Sequence, residues 1–348
     1  MIEIVIAIIA LVSSVITAGI SAVFNRKNEI RLKHFENELA VKRAEQDARR
    51  DYEYEARKRL YQECEPILFQ FAELSESALR RIYALARNAR EGNLGPNRYW
   101  LSTDNYFIRS TIYRLLAPMA AFKILQHRLT TIDLELDRSI NLQYTLAKNL
   151  YYTFSSATDL ARSEPSIPYD PDQISPEFIN LTESKRIENR TKHPERYWLQ
   201  GLKVGMLDIL TENLILSEGN AITRIKSFGE FEQEFFGKGN HTETSEKNEF
   251  EVFITLFSFF HPRTRPVLWR VLIAQAYLYN AIIHVRSDTT KVSSLNIKDF
   301  ETFKVLLKID KCKSECNWKQ PGEMLSDEEF CLPFVAAKNY LHNIWGQV

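Results

Sequence analysis

Two groups of basic and aromatic residues hold the chemistry this chain could do. The segment His261-Pro-Arg-Thr-Arg-Pro266 lies between two apolar runs, with Trp269 and Arg270 just beyond it. A guanidinium presents a planar fork of N–H donors that fits phosphate oxygens, and an aromatic face stacks on a nucleobase. Arg263 and Arg265 on a proline-stiffened turn, with Trp269 and Arg270 near, therefore suit a nucleotide-type ligand. The competing reading is a surface turn whose arginines pair with local carboxylates. The second group is Arg109, Arg114, Lys123, His127 and Arg128, interspersed with Tyr106, Phe107 and Tyr113. Helical spacing does not bring all five cations to one face. A solvated face is the simpler expectation for them, with Arg109 and Arg114 kept as ligand candidates.

Metal and catalytic patterns are weaker. Cys312 and Cys316 are separated by three residues, Cys331 follows after 14 more, and His342 lies beyond. Four such ligands could hold zinc tetrahedrally, but the usual spacing of two intervening residues is missing. Reduced thiols in a cytoplasmic domain account for them more simply, and no metal or other cofactor is expected. The chain has no His-Glu-x-x-His, no Gly-x-Ser-x-Gly and no glycine-rich phosphate loop, and only 11 glycines to build one. Its seven histidines form no local pair. An enzyme would have to be assembled from residues distant in sequence, so the chain reads as a non-enzyme. Lys plus Arg and Asp plus Glu are 45 each. No global basic field draws it to nucleic acid.

The elements that must position these residues are helical. Ile67, Leu68, Phe71, Leu74, Ala78 and Ile82 keep the spacing of a core-facing helix. Glu91 to Pro96 carries the glycine and proline that stop it. Further helices are expected over about 103–130, 138–161, 195–218 and 266–286, with a buried apolar run at 250–260. In the third of these Trp198, Leu202, Met206, Leu210 and Leu214 fall in register. Residues 164–176 hold four prolines and read as a linker between helical subdomains at 63–163 and 177–348. Residues 236–248 read as a polar loop, and 298–348 as a cysteine-bearing tail with one or two short helices. No β-alternation is evident, so the fold class is mostly α.

The N-terminus sets the frame. From Ile4 to Phe24 run 21 residues without a charge. A helix of that length spans the hydrocarbon core of a bilayer, about 30 Å thick. A signal peptide would begin with positive charge and have a shorter apolar core, whereas here Glu3 leads and Arg26, Lys27, Arg31 and Lys33 follow. The positive-inside rule then places the N-terminus outside and about 320 residues in the cytoplasm of an inner-membrane protein. Residues 1–27 form this span and 28–62 a charged helical stalk. Ile30, Leu32, Phe35, Leu39, Val41, Ala44 and Ala48 give the stalk a thin apolar stripe, and Glu38–Lys42 and Glu53–Arg57 can pair along it.

Within the span, Ala7, Ala10, Ser14, Thr17 and Ser21 recur at spacings of 3, 4, 3 and 4. One helix face is therefore lined with small residues. Such faces let transmembrane helices approach closely and hydrogen-bond. The stripe suits a homo-oligomer interface, or the wall of a narrow pore with Ser14, Thr17 and Ser21 facing water.

A single span, a charged helix and a helical cytoplasmic domain without catalytic motifs make a layout that resembles the channel effector of the Hailong anti-phage system. The stretch Arg59-Leu-Tyr-Gln-Glu-Cys-Glu-Pro-Ile-Leu-Phe-Gln70 is similar to one in other bacterial membrane-anchored proteins. The resemblance implies an oligomeric ion channel whose cytoplasmic domain binds an oligonucleotide made by a partner nucleotidyltransferase. The alternative is a membrane-tethered protein-interaction module without a pore.

Overall fold

A computed structural model describes residues 2–94, 101, 105–129, 133–169, 182, 184, 188, 200–217, 223–236, 250–258, 260–287 and 327–345. The protein is mostly α-helical. Its first helix, α1 (Ile2–Arg90), is a single run of 89 residues that holds Pro66 within it. By compactness the chain divides into Met1–Arg59 and Leu60–Val348.

In the first unit α1 is exposed along its length. Its N-terminal part is long and apolar enough to cross a membrane, with a mean hydropathy of 2.4 and no buried residue in that window. Side-chain pairs at helical spacing brace the charged part: the ion pairs Glu29–Lys33 at 3.5 Å and Arg49–Glu53 at 3.1 Å, with His34 Nδ1 3.5 Å from Glu38 Oε1. Glu38 and Glu53 thus reach back one turn, to His34 and Arg49, and not forward to Lys42 and Arg57.

In the second unit α1 turns amphipathic. Leu60, Cys64, Ile67, Phe71, Ala78, Ile82, Leu85 and Ala89 are buried at helical spacing. The helix stops where glycine appears. Gly92 takes φ 68, a left-handed conformation open to a residue without Cβ. Its N–H donates to Ala89 O at 3.2 Å, and Asn93 N–H donates to Asn88 O at 2.8 Å. That pair of bonds is a Schellman closure, which satisfies carbonyls the helix end leaves free.

Next come α2 (Tyr106–Arg128), α3 (Arg138–Thr153) and α4 (Ala157–Arg162). Asn105 caps α2 by accepting from Phe107 N, and Asp137 caps α3 by accepting from Ser139 N and Ile140 N. Tyr61 of α1 donates to the same Asp137 carboxylate at 2.7 Å. The single helix expected over 138–161 is broken. The hydroxyls of Ser155 and Ser156 both donate to Tyr152 O, which competes with the main-chain ladder. Leu202 N–H takes the freed Phe154 carbonyl at 2.9 Å.

The helix expected over 195–218 is described from residue 200, and Trp198 lies outside the described residues. It is shorter than its pattern suggests: α5 covers Val204–Glu212. Leu202 and Leu214 are buried but flank it, and Met206 is exposed while Leu207 is buried. An antiparallel pair follows, β1 (Ile215–Leu216) with β2 (Arg224–Ile225). Two-residue strands are too short to show alternation in a sequence. Then come α6 (Phe228–Phe236), α7 (Glu251–Phe257), α8 (Pro266–Ser287) and α9 (Asp327–Trp345). The loop expected at 236–248 lies outside the described residues but for Phe236, which ends α6.

Around α8 the core closes: α3, α4 and α9 pack on it, while α2 packs against α3, α5, α6 and α7. Helices from both sides of residues 164–176 therefore share one core. Trp269, Tyr151, Tyr279, Phe71, Phe122, Phe154 and Phe231 are its largest fully buried side chains. The N-terminus of α8 is capped from afar. Gln200, fully buried, accepts from Val267 N at 2.7 Å and Leu268 N at 3.3 Å.

Candidate functional site

The small-residue stripe lies on an exposed helix. Ala7, Ala10, Ser14, Thr17 and Ser21 all face solvent in the single chain. Ser14 Oγ donates to Leu11 O at 3.0 Å and Thr17 Oγ1 donates to Ser13 O at 2.7 Å. Each hydroxyl thereby satisfies its own donor within the helix, while its oxygen lone pairs stay open to a neighbour.

The second candidate, at 261–270, does not form one solvent-facing group. Arg263 is exposed, but Arg265 is 3% exposed, Trp269 1% and Arg270 3%. His261 organises the turn: its Nδ1 accepts from Arg263 N at 3.1 Å, and its carbonyl accepts from Arg265 N at 2.9 Å. Arg270 serves the fold. Its Nη1 donates to Leu160 O and Ser163 O, both at 2.9 Å, and Nη2 donates to Pro165 O. Burial lowers the guanidinium pKa of both Arg265 and Arg270 to about 10. Of the turn only Arg263 keeps to the surface, because the first turn of α8 is sunk in the core.

The cations of α2 go separate ways. Arg109 reaches Glu232 Oε1 at 3.5 Å and lies 5.0 Å from the centre of the Phe236 ring. Lys123 pairs with Asp208 Oδ1 at 2.5 Å and sits 4.8 Å from the centre of the Tyr151 ring. Tyr151 donates its hydroxyl to the same Asp208 oxygen. Burial, then that bond, raises the tyrosine far above its usual range. For Asp208 burial works upward, but the bonds from Lys123 and Tyr151 leave the carboxyl below its usual value. Arg128 pairs with Glu63 at 3.5 Å. Arg114, half-buried, has no carboxylate partner among the described residues.

The clefts on this unit include two of similar size. One of about 380 Å³ is lined by Ile124, His127, Arg128, Glu212, Ser217 and Thr223, and its mixed charges give an anion no net attraction. The other, about 360 Å³, lies between Asp159, Arg162, Tyr340 and Asn343. Among the described residues no group of three or more His, Cys, Asp or Glu could hold a metal ion. Cys312, Cys316 and the side chain of Cys331 lie outside the described residues, and His342 is exposed on α9.

The sequence reading passed over Arg81. This α1 residue is 4% exposed, donates from Nη2 to Ser110 Oγ at 2.9 Å, and lies over the Phe107 ring. Its signal is a cation standing on the largely apolar buried face of α1, one residue before Ile82. No family model matches this chain, and no curated protein or solved structure matches it either.

Proposed function

We propose that the protein is a membrane-anchored oligomeric effector whose N-terminal helices associate into an ion-conducting pore. An anionic, nucleotide-type ligand met by the helical unit governs the pore. The observation that carries this reading is α1, one helix from the apolar segment at Ile4–Phe24 to the core residues of 60–90. A ligand gates a pore only if it binds the open and closed states differently, and an unbroken helix gives a route by which that difference reaches the bilayer. The small-residue face supplies the contact between copies. Likeness in layout to the Hailong effector extends the proposal to anti-phage defence, with a partner nucleotidyltransferase as the source of the ligand.

The test is membrane potential, read with a voltage-sensitive dye in bacteria expressing the wild type or Ser14→Leu at equal membrane levels. Depolarisation by the wild type and not by the variant is expected, since leucine fills a narrow pore while keeping the helix apolar. Equal depolarisation by both removes Ser14 from the pore wall.

One observation favours a second reading, a tethered interaction module without a pore. Ser14 and Thr17 already spend their hydroxyl protons on their own helix. In that case neither form depolarises the cell, and bulky apolar residues along Ala7–Ser21 leave partner capture intact.

A further inference from the structure

Arg81 is a buried cation with no carboxylate partner among the described residues. Of its donors, Nη2 serves Ser110 Oγ, while Nε and Nη1 have no hydrogen-bond partner. Its guanidinium carbon lies 4.2 Å from the centre of the Phe107 ring. Phe107, Ser110 and Arg114 follow one another at spacings of 3 and 4 on α2 and so share a face. Arg114 therefore stands one turn beyond the residue that holds Arg81. Burial first, then the charge of Arg114, brings the Arg81 guanidinium down to about 10, against a smaller upward push from Tyr106. Neither arginine pairs with a carboxylate among the described residues.

Three other interior cations meet acceptors or a counter-charge. Arg270 has its carbonyls, Lys123 has Asp208, and Lys226 has Glu234 at 2.8 Å. A buried charge left without a counter-charge is among the most costly features a fold can carry. A second guanidinium on the α2 face that holds Arg81 adds positive charge to this place and suits it to an anion.

We propose that Arg81 and Arg114 form a binding site for a phosphate group. Nε–H and the two protons of Nη1, on separate edges of the guanidinium, are donors without a partner, and guanidinium N–H groups match phosphate oxygens. A phosphomonoester carries about −1.5 to −2 charge at neutral pH, enough to answer two guanidiniums, where a carboxylate answers one. The Phe107 ring covers one face of the Arg81 guanidinium and so fixes its orientation. A soluble phosphate ester and a lipid headgroup both present this group.

The experiment is thermal unfolding of the full chain in phospholipid-free maltoside micelles in Tris-chloride. Inorganic phosphate is titrated at constant ionic strength. A ligand of the folded state raises the midpoint saturably, and that rise is expected with phosphate and not with added chloride. Arg114→Gln is expected to weaken phosphate binding about tenfold or more, and Arg81→Gln to abolish it. If Arg81→Gln does not fold, the half-buried Arg114 decides alone. Arg80→Gln is the control, since that side chain is 73% exposed and pairs with Glu76, and it should leave the affinity unchanged.

No saturable rise in the wild type, or the same affinity in Arg114→Gln, overturns the site. Dihexanoyl phosphatidic acid binding more tightly than inorganic phosphate assigns the group to a lipid headgroup. No gain assigns it to a soluble ligand, and the site stands in either case. Depolarisation of cells does not enter this assay, so the phosphate site and the pore can each fail alone.

Discussion

One guanidinium closes the junction between α4 and α8. Arg270 gathers the carbonyls of Leu160, Ser163 and Pro165, which the end of α4 would otherwise leave bare in the interior. Arg270→Ala should cost about 3–5 kcal/mol, because several acceptors lose their donor together. Arg270→Lys should recover little, since an ammonium cannot span the same fork. Urea unfolding of the full chain checks both, and a loss of well under 1 kcal/mol would show that water replaces the guanidinium. The tyrosine, lysine and carboxylate around Asp208 predict a pH effect. With its folded value lowered by Lys123 and Tyr151, the carboxylate stabilises the fold at pH above the unfolded value of about 4. That contribution disappears as pH falls through the lower, folded value. Asp208→Asn should flatten that part of the acid limb in a plot of unfolding midpoint against pH, and an unchanged limb would place the titration elsewhere. The sequence named Arg263, Arg265, Trp269 and Arg270 as a group but could not say which way they face. A helix apolar all round carries no phase from which inside and outside can be told.

At the level of elements, legibility followed the chemistry of the breaks. The end of α1 was readable at Glu91–Gly92 because only glycine takes that closing conformation freely. The break between α3 and α4 was not, because Ser155 and Ser156 interrupt a helix only when their hydroxyls turn inward to Tyr152 O. Nor was the cap of α8, since Gln200 reaches Val267 from 67 positions away. Just beside that cap, Gly201 lets two segments meet. A Cβ built there would lie 2.5 Å from Ala157 Cβ and 2.9 Å from Phe154 O. Gly201→Ala should therefore destabilise by about 1–3 kcal/mol through overpacking. A lowered unfolding midpoint would bear this out, whereas a neutral or raised one would mean that the chain at Phe154–Ala157 can give way.

For the whole molecule, the division into an exposed N-terminal helix and a helical core was legible from hydropathy alone, as was the mostly α class. The placement of Arg81 against Phe107 and Ser110 was not, since contacts between α1 and α2 have no trace in local spacing. Conduction, if Ser14→Leu silences it, belongs to an assembly and to no single chain. The interior helix adds a consequence for how this protein is made. Among the described residues two stretches, and not one, are long and apolar enough to cross a membrane: the N-terminal helix, and Pro266–His284, which ends 72% buried. The second is synthesised before α9, which helps to enclose it, exists. During that interval the nascent chain offers an insertion machine two plausible segments. An arginine deep in such a segment disfavours partition into lipid by about 2.5–3.5 kcal/mol at the centre of a span, and less toward its ends. Arg270 stands one turn into α8, and the fully buried Gln275 stands near its middle. Both tilt the choice toward the aqueous side. The guanidinium that seals α4 in the finished protein is thus also a charge that opposes partition of α8 into lipid.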